Sequence, residues 1–368
     1  MNVGVLKEIK NNENRVALTP EGAKKLKKAG NTVFVQKNAG KGSGFPDAEY
    51  KKAGAKIVNT PKELAKKCRM IVKIKEPLEQ EYELFNENHI LFTYFHFAAD
   101  KKLTIGMKKS GATCIAYETV ELPDKSLPLL SPMSEVAGRM AVIMGAYYLA
   151  KPYGGEGMLV SPITNSVNAK VAIIGGGIVG TASLENALGL GANTVLFEIS
   201  NKRIKELKKQ FPKARYVKST QANIEKELKD TDLLVGAVLV PGAKAPKIVT
   251  KQMVAKMKKG SVIADVAVDQ GGCVETIKPT THENPVYEVS GVRHYAVANM
   301  PGAYPRTSTL AITAVTLPYM LDLAKNDLNA VKKSKPLQLG VNIHKGFITY
   351  KPVADAFKMK YTPLEKVL

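Results

Sequence analysis

Cysteine is scarce: only Cys68, Cys114 and Cys273 occur, far apart and odd in number. A disulfide framework needs pairs and a metal knuckle needs close spacing, so these read as buried thiols of a reducing compartment. No run of about 18 apolar residues is free of charge, so no membrane span is expected. The richest stretch, 140–150, is too short and follows Arg139. No long apolar run follows Met1, so no secretory signal is read there and the expected location is cytoplasmic. Arginine is scarce too, at seven of 54 basic residues, although the net charge is +21. Base-edge and bidentate phosphate recognition favour arginine, so nucleic acid is not the expected partner. The lysines are spread out and often stand beside acids, as in Lys62-Glu63 and Glu225-Lys226-Glu227. They read as a solvated surface whose field would still favour anionic substrates or a dinucleotide. Of five histidines, His282, His294 and His344 lack ligand spacing with Cys, Asp or Glu, and no metal site is expected. No GxSxG or Cys/His nucleophile pattern, internal repeat or low-complexity tract is found.

Hydrophobic residues make up 45% and charged residues 24% of the 368, which suits a globular protein with a substantial core. At roughly 150 residues per domain, the length suggests two domains. Short apolar runs alternate with amphipathic segments. Strands are expected at 3–5, 32–36, 70–74, 90–94 and 114–117, and helices at 48–53 and 101–109. Another helix is expected at 20–29, with Thr19 as N-cap, Pro20 in its first position and Gly30 ending it. A long helix with many small residues is expected at 134–150, then a Gly/Pro/Ser/Asn-rich loop at 151–168. A second alternating pattern runs from 170 to 298, followed by a long helix at 308–324, a short strand at 347–350 and a terminal helix. The expected class is α/β, with two Rossmann-like domains of parallel sheet covered by helices and joined by long helices. The first domain is expected to be discontinuous, 1–127 plus 307–368, and to bind substrate. The second, 128–306, is expected to bind a dinucleotide.

The clearest local signal is Val171-Ala-Ile-Ile-Gly-Gly-Gly-Ile-Val-Gly180. An apolar strand runs into Gly175-x-Gly177-x-x-Gly180. Gly175 permits a tight turn, Gly177 lets the backbone approach a pyrophosphate, and Gly180 lets helix and strand pack closely. The pyrophosphate then sits at a helix N-terminus, where N–H groups and the dipole favour an anion. A second strand, 194–197, ends in Glu198, eighteen residues after Gly180, where an acid would accept hydrogen bonds from the adenosine ribose. Strands are also expected at 232–238 and 261–268, the latter ending at Asp269-Gln-Gly-Gly272. A carboxylate there faces the cofactor crevice, although an ordinary turn Asp would read the same.

Three groups in the first half stand out. Arg15 follows the first strand and its fork suits a carboxylate, though a surface ion pair is equally readable. Lys75 ends the run Ile71-Val-Lys-Ile-Lys75, with Pro77 disfavouring helix just beyond. His96 closes the strand at 90–94, where it reads either as an acid–base group or as a satisfied core histidine.

Longer motifs carry a resemblance. The segments Gly4-Val-Leu-Lys-Glu-Ile-Lys10, Glu13-Asn-Arg-Val-Ala-Leu-Thr-Pro20, Val72-Lys-Ile-Lys-Glu-Pro77 and Leu91-Phe-Thr-Tyr-Phe-His96 resemble the alanine dehydrogenase family. So do Ala116-Tyr-Glu-Thr119, Pro132-Met-Ser-Glu-Val-Ala-Gly-Arg139, Val235 to Gly242, Asp265 to Gly272, Asn299-Met-Pro-Gly302 and Pro305-Arg-Thr-Ser-Thr309. The resemblance spans nearly the whole chain and weakens after about residue 320. It implies reversible NAD-dependent oxidative deamination of L-alanine to pyruvate and ammonium, and a homohexamer. It implies that Arg15 clamps the substrate carboxylate, that Lys75 contacts the carbonyl or amine, and that His96 and Asp269 are the acid–base pair. It implies cofactor contacts at Ser134, Glu198, Arg203, Thr220, Lys278, Asn299 and Met300. Further contacts are implied at Ile178 and Val179 in the glycine loop, at Val238 and Leu239, at Val266, Ala267, Val268 and Asp269, and at Val297 and Ala298. Relatives often carry Asp at position 198 and Ser at position 220. Some relatives hold a divalent metal on the late helix with Glu and His, where this chain has Asp322 and Asn326, so no metal is carried over. The NAD(H)-binding portion of a proton-translocating transhydrogenase is the alternative reading, and saccharopine dehydrogenases a weaker one. The Tyr-Phe-His context of His96 and the lack of a membrane segment favour the dehydrogenase.

Overall fold

Aliphatic and β-branched runs too short for helices form the strands, and the lysine-rich amphipathic segments between them form helices. The computed structural model describes residues 1–238 and 245–368. The chain begins β1 (Asn2–Val5), α1 (Pro20–Lys28), β2 (Thr32–Gln36), α2 (Asp47–Lys52), β3 (Lys56–Val58), α3 (Pro61–Lys67), β4 (Met70–Val72), β5 (Ile90–Thr93), α4 (Lys101–Ser110), β6 (Thr113–Ala116) and α5 (Ser131–Tyr148). It continues with β7 (Lys170–Ile174), α6 (Ile178–Gly189), β8 (Asn193–Glu198), α7 (Asn201–Gln210), β9 (Arg215–Lys218), α8 (Gln221–Leu228), β10 (Leu233–Gly236), α9 (Lys251–Ala255), β11 (Val262–Asp265), β12 (Val286–Val289) and β13 (Val292–Tyr295). It closes with α10 (Pro305–Asn326), α11 (Leu328–Lys333), α12 (Lys335–Gly340), β14 (Val341–His344), β15 (Phe347–Ile348) and α13 (Lys351–Phe357). Two units result, Met1–Pro132 with Gly302–Leu368, and Met133–Pro301. Among the described residues no helix is long and apolar enough to cross a membrane.

The first unit holds an eight-stranded sheet in the order β15-β14-β6-β5-β4-β1-β2-β3. The second holds a seven-stranded sheet in the order β12-β13-β11-β10-β7-β8-β9. Both are mostly parallel and covered by helices, as the alternation of strand and helix implies, with antiparallel pairing at one edge. Each sheet ends in a hairpin, β12–β13 turning at Ser290-Gly291 (φ 54° and 77°) and β14–β15 at Lys345-Gly346 (φ 47° and 79°), and in the first sheet β14 also runs antiparallel to β6. Two central residues at positive φ make the tight turn whose twist matches antiparallel strands.

In the second unit, Val171, Ile173, Leu233 and Val235 face one core, and Ala172, Ile174 and Leu234 face the other. That alternation is the period of a strand buried on both sides. The small residues of α5 let it come close: a Cβ on Gly138 would strike the Val179 carbonyl of α6, and one on Gly145 would strike Leu233.

Three boundaries differ from the sequence expectation for identifiable reasons. β4 stops at Val72 rather than 74, because Glu8 takes the Ile74 N–H at 2.6 Å. β11 stops at Asp265 rather than 268, because the Asp265 carboxylate accepts from Ala267 N at 3.0 Å and caps a 3₁₀ turn over Val266–Gln270. The strand expected at 347–350 is only Phe347–Ile348, and its partner β14, which no pattern had suggested, pairs with β6.

Candidate active site

In the first unit, β1, β4 and β5 are parallel neighbours, and the segments that follow them carry Arg15, Lys75 and His96. Strand C-termini of such sheets are where ligands bind. Arg15 is buried, and its Nε and backbone N donate to Glu13 Oε1 at 2.6 and 3.0 Å, while its Nη2 donates to Glu13 Oε2. This two-point pairing fixes the plane of the guanidinium. The Lys75 carbonyl accepts from Thr93 Oγ1 at 3.1 Å, tying the end of β4 to that of β5. Burial first, and then the Arg15 guanidinium, push the Lys75 ammonium below the usual lysine range. Two cations held in one buried neighbourhood make a place where an anion is stabilised. Beneath lies a second buried network: Lys73 Nζ pairs with Glu81 at 2.9 Å and Glu8 at 3.2 Å.

His96 is exposed, and its backbone is left-handed at φ 53° and ψ 38°. Its ring lies parallel to that of Tyr94, centroids 6.0 Å apart, and the Tyr94 hydroxyl donates to the Leu129 carbonyl. The backbone N–H of His96 donates to Glu118 Oε1 at 2.6 Å. Sequence reasoning gave no role to Glu13, Glu118 or Glu8. Their only sequence signal is that they lie within a few residues of singled-out positions or inside matching motifs.

In the second unit, Gly175 has φ 100°, and a Cβ on Gly180 would strike the Gly175 carbonyl, so both need to be glycine. A Cβ on Gly177 would meet nothing within 4 Å. Gly177 is the N-cap of α6, so open space lies where a pyrophosphate would meet the helix N-terminus. Glu198, ending β8, accepts from Gly176 N at 2.8 Å through Oε2, and from Ile199 N and Ser200 N at 2.7 and 2.8 Å through Oε1. Arg203 turns back onto the loop, donating from Nε to the Gly176 carbonyl at 2.9 Å and from Nη2 to Thr181 Oγ1 at 3.0 Å. This crest suits a dinucleotide: free volume at a helix start, with an anchored acid beside it.

The other singled-out positions take varied places. Asp269 is exposed and its Oδ2 accepts from Asn299 N at 3.4 Å, while Asn299 itself is left-handed at φ 59°. Asp265 braces the segment that carries Asp269, accepting from Ala267, Cys273 and Val274 N–H at 3.0, 2.8 and 3.1 Å, and burial pushes its carboxyl up to about 6. Val179, Ala267, Val268, Val297 and Met300 are buried. Ile178 starts α6 and is exposed, Ser134 closes the first turn of α5, and Val266 and Ala298 are half-buried. Thr220 caps α8, accepting from Asn223 N at 3.3 Å. The Lys278 ammonium lies 4.9 Å from the centroid of the Tyr287 ring. Val238 is half-buried just after β10, and Leu239 lies outside the described residues. Asn326 donates to Asp322 at 2.6 Å, and among the described residues no cluster of three or more His, Cys, Asp or Glu could hold a metal ion.

Residues 4–137 match the family described as alanine dehydrogenase/PNT, N-terminal domain, and residues 141–351 its C-terminal domain. The chain is 52% identical over 373 residues to alanine dehydrogenase 2 of Staphylococcus aureus, covering 100% of both. A solved L-alanine dehydrogenase superposes with TM-score 0.95 at 47% identity, over 97% of this chain and 99% of that one. A transhydrogenase from Sinorhizobium meliloti superposes with TM-score 0.82 at 27% identity, over 95% and 99%.

Proposed function

From the premise that the chain belongs to the alanine dehydrogenase/PNT family, we propose that it is an L-alanine dehydrogenase, interconverting L-alanine, NAD and water with pyruvate, ammonium, NADH and a proton. The observation that carries the reading is the placement of Arg15, buried and fixed by Glu13, and of Lys75, tied through its carbonyl to the end of β5, in segments neighbouring the one that presents His96. An α-amino or α-keto acid supplies the carboxylate such a pair would hold.

The roles follow from the groups. Arg15, its plane set by Glu13, holds the substrate carboxylate. Lys75 donates to the carbonyl oxygen of pyruvate, or to the oxygen of the carbinolamine formed when water adds to the imine. His96 takes a proton from that water and returns it to the departing amine, and Asp269 assists the proton transfers. The bound nicotinamide supplies the hydride chemistry. NAD is favoured over NADP because Glu198 stands at the ribose position and Arg203, the nearby cation, is engaged by Gly176 and Thr181. A homohexamer, as the family resemblance implies, completes the reading, placed in the cytoplasm by its unpaired cysteines and with no membrane or nucleic-acid partner.

The test is NADH oxidation by the purified chain with pyruvate, with and without ammonium. Turnover is expected only when both are present. Turnover with pyruvate alone would assign a 2-hydroxy-acid dehydrogenase instead, and NADH binding without turnover would favour the transhydrogenase-type reading.

A further inference from the structure

His96 adopts a left-handed backbone conformation that is uncommon for residues other than glycine, although Asn, Asp and His enter it more often than the rest. A strained residue persists only where its surroundings over-determine it. The restraint here comes from Glu118, on the 3₁₀ turn Tyr117–Thr119 that follows β6. Its Oε1 accepts from His96 N at 2.6 Å, and its two carboxylate oxygens lie 3.2 and 3.3 Å from Phe95 N. The β5–β6 ladder ends at the pair Thr93–Ala116, so these N–H groups lie beyond the last strand pairing. The turn is itself anchored, because Tyr117 is buried with its ring edge-on to Phe92 and Tyr94 at 4.4 and 5.0 Å. On the other side, Ala99 N donates to the His96 carbonyl at 2.9 Å, and the rings of Phe95 and Phe97 stack at 4.4 Å. Both neighbours of His96 are thus packed inward while its own side chain is turned out.

We propose that Glu118 is a positioning residue for His96: its carboxylate, by accepting the N–H groups of residues 95 and 96, holds the left-handed turn that presents the imidazole. A carboxylate suits this better than an amide, because it accepts at both oxygens and makes stronger hydrogen bonds. The catalytic part of the inference rests on the assignment of His96 proposed above. The clamp itself rests on geometry alone.

Two measurements test it. Turnover with pyruvate, ammonium and NADH is compared in wild type, Glu118→Gln, Glu118→Ala, His96→Ala and the Glu118→Ala/His96→Ala double variant. A misplaced catalytic group can cost about 100-fold, so Glu118→Ala is expected to lose turnover on that scale, with KM for NADH unchanged within about twofold, the split expected when only the chemical step is impaired. Glu118→Gln, which keeps one acceptor oxygen, is expected to fall between Glu118→Ala and wild type. In the His96→Ala background, Glu118→Ala is expected to add no further loss. An equal loss in both backgrounds, or wild-type turnover in Glu118→Ala, overturns the proposal. Should Glu118→Ala fail to fold, the same cycle is run with Glu118→Gln. The second readout is independent of activity: the ring resonances of ¹⁵N-histidine-labelled protein, assigned through His96→Ala. Glu118→Gln is expected to move the His96 signals and leave those of His282 and His294 in place. Unmoved His96 signals overturn the clamp, whereas moved signals in a protein without amination activity retain the clamp and reject the function proposed above.

Discussion

Lys75 and Glu198 are ordinary residue types given particular meaning by their neighbours. In Lys75, burial and then the Arg15 guanidinium disfavour the charged form, which makes the ammonium a strong donor. Removing one such preorganised donor costs about 100- to 1,000-fold in turnover. Lys75→Ala is expected to lose kcat on that scale while a fluorescence titration finds NADH bound as tightly as before; near-normal turnover would make Lys75 structural. Glu198 argues for cofactor choice. A 2′-phosphate would bring like charge against a carboxylate already ordered by Gly176, Ile199 and Ser200. Losing a hydrogen bond to a charged group costs about 1–3 kcal/mol, so with the repulsion NAD is expected to exceed NADP by roughly 100-fold in kcat/KM. Glu198→Ser should narrow the gap, chiefly by improving NADP. Equal use of both cofactors by the unmutated chain would place the ribose elsewhere.

At the scale of an element, the glycine loop separates two demands that sequence merges into one motif. At Gly180 the added carbon collides with the Gly175 carbonyl, so helix α6 could no longer close on its strand. At Gly177 it enters open space. Gly180→Ala is therefore expected to lower the melting temperature, whereas Gly177→Ala is expected to leave it nearly unchanged and weaken NADH binding about tenfold or more, the cost of obstructing backbone approach to a pyrophosphate. Equal effects on both measurements in both variants would contradict the distinction. A second element-level consequence lies before β7. Burial first, and then the neighbouring Asp232 carboxylate, raise Glu156 to about 7, with Lys258 opposing. A carboxyl raised above its unfolded value of 4.5 binds its proton more tightly in the native state, so its contribution is fully present below pH 4.5 and is lost as pH rises through about 7. Glu156→Gln is expected to flatten the fall in melting temperature between pH 5 and 8, and an unchanged profile would show that another group carries it.

At the scale of the whole molecule, a net charge of +21 draws attention to polyanions. Some of the ion pairs in which lysines take part, such as Lys125–Glu121 and Lys351–Asp355, are exposed and local, whereas those of Lys73 and Lys170 are buried. The exposed pairs contribute little to stability, and the charge acts chiefly as a screened field. Duplex DNA is expected to bind weakly at low salt and to be released at physiological ionic strength, as counterion release requires. Tight, sequence-selective binding at physiological salt in a fluorescence-anisotropy titration would reveal a second function.

The sequence by itself determined the αβ alternation, the glycine loop with its acid, and the order of the segments bearing Arg15, Lys75, His96 and Asp269. Each is a local pattern: a periodicity, a turn, or a spacing along one strand and helix. It left the partners of those groups unread, because Glu118 reaches residue 96 from the next strand, and Glu8 ends β4 from 66 residues away. It also left the hairpins β12–β13 and β14–β15 unread, although Ser290-Gly291 and Lys345-Gly346 carried their turn chemistry. The tertiary structure decided which charges are buried and which backbone is strained. Burial and strain depend on what packs against a residue, and a chain's pattern fixes a neighbour along the strand but not the one across the sheet.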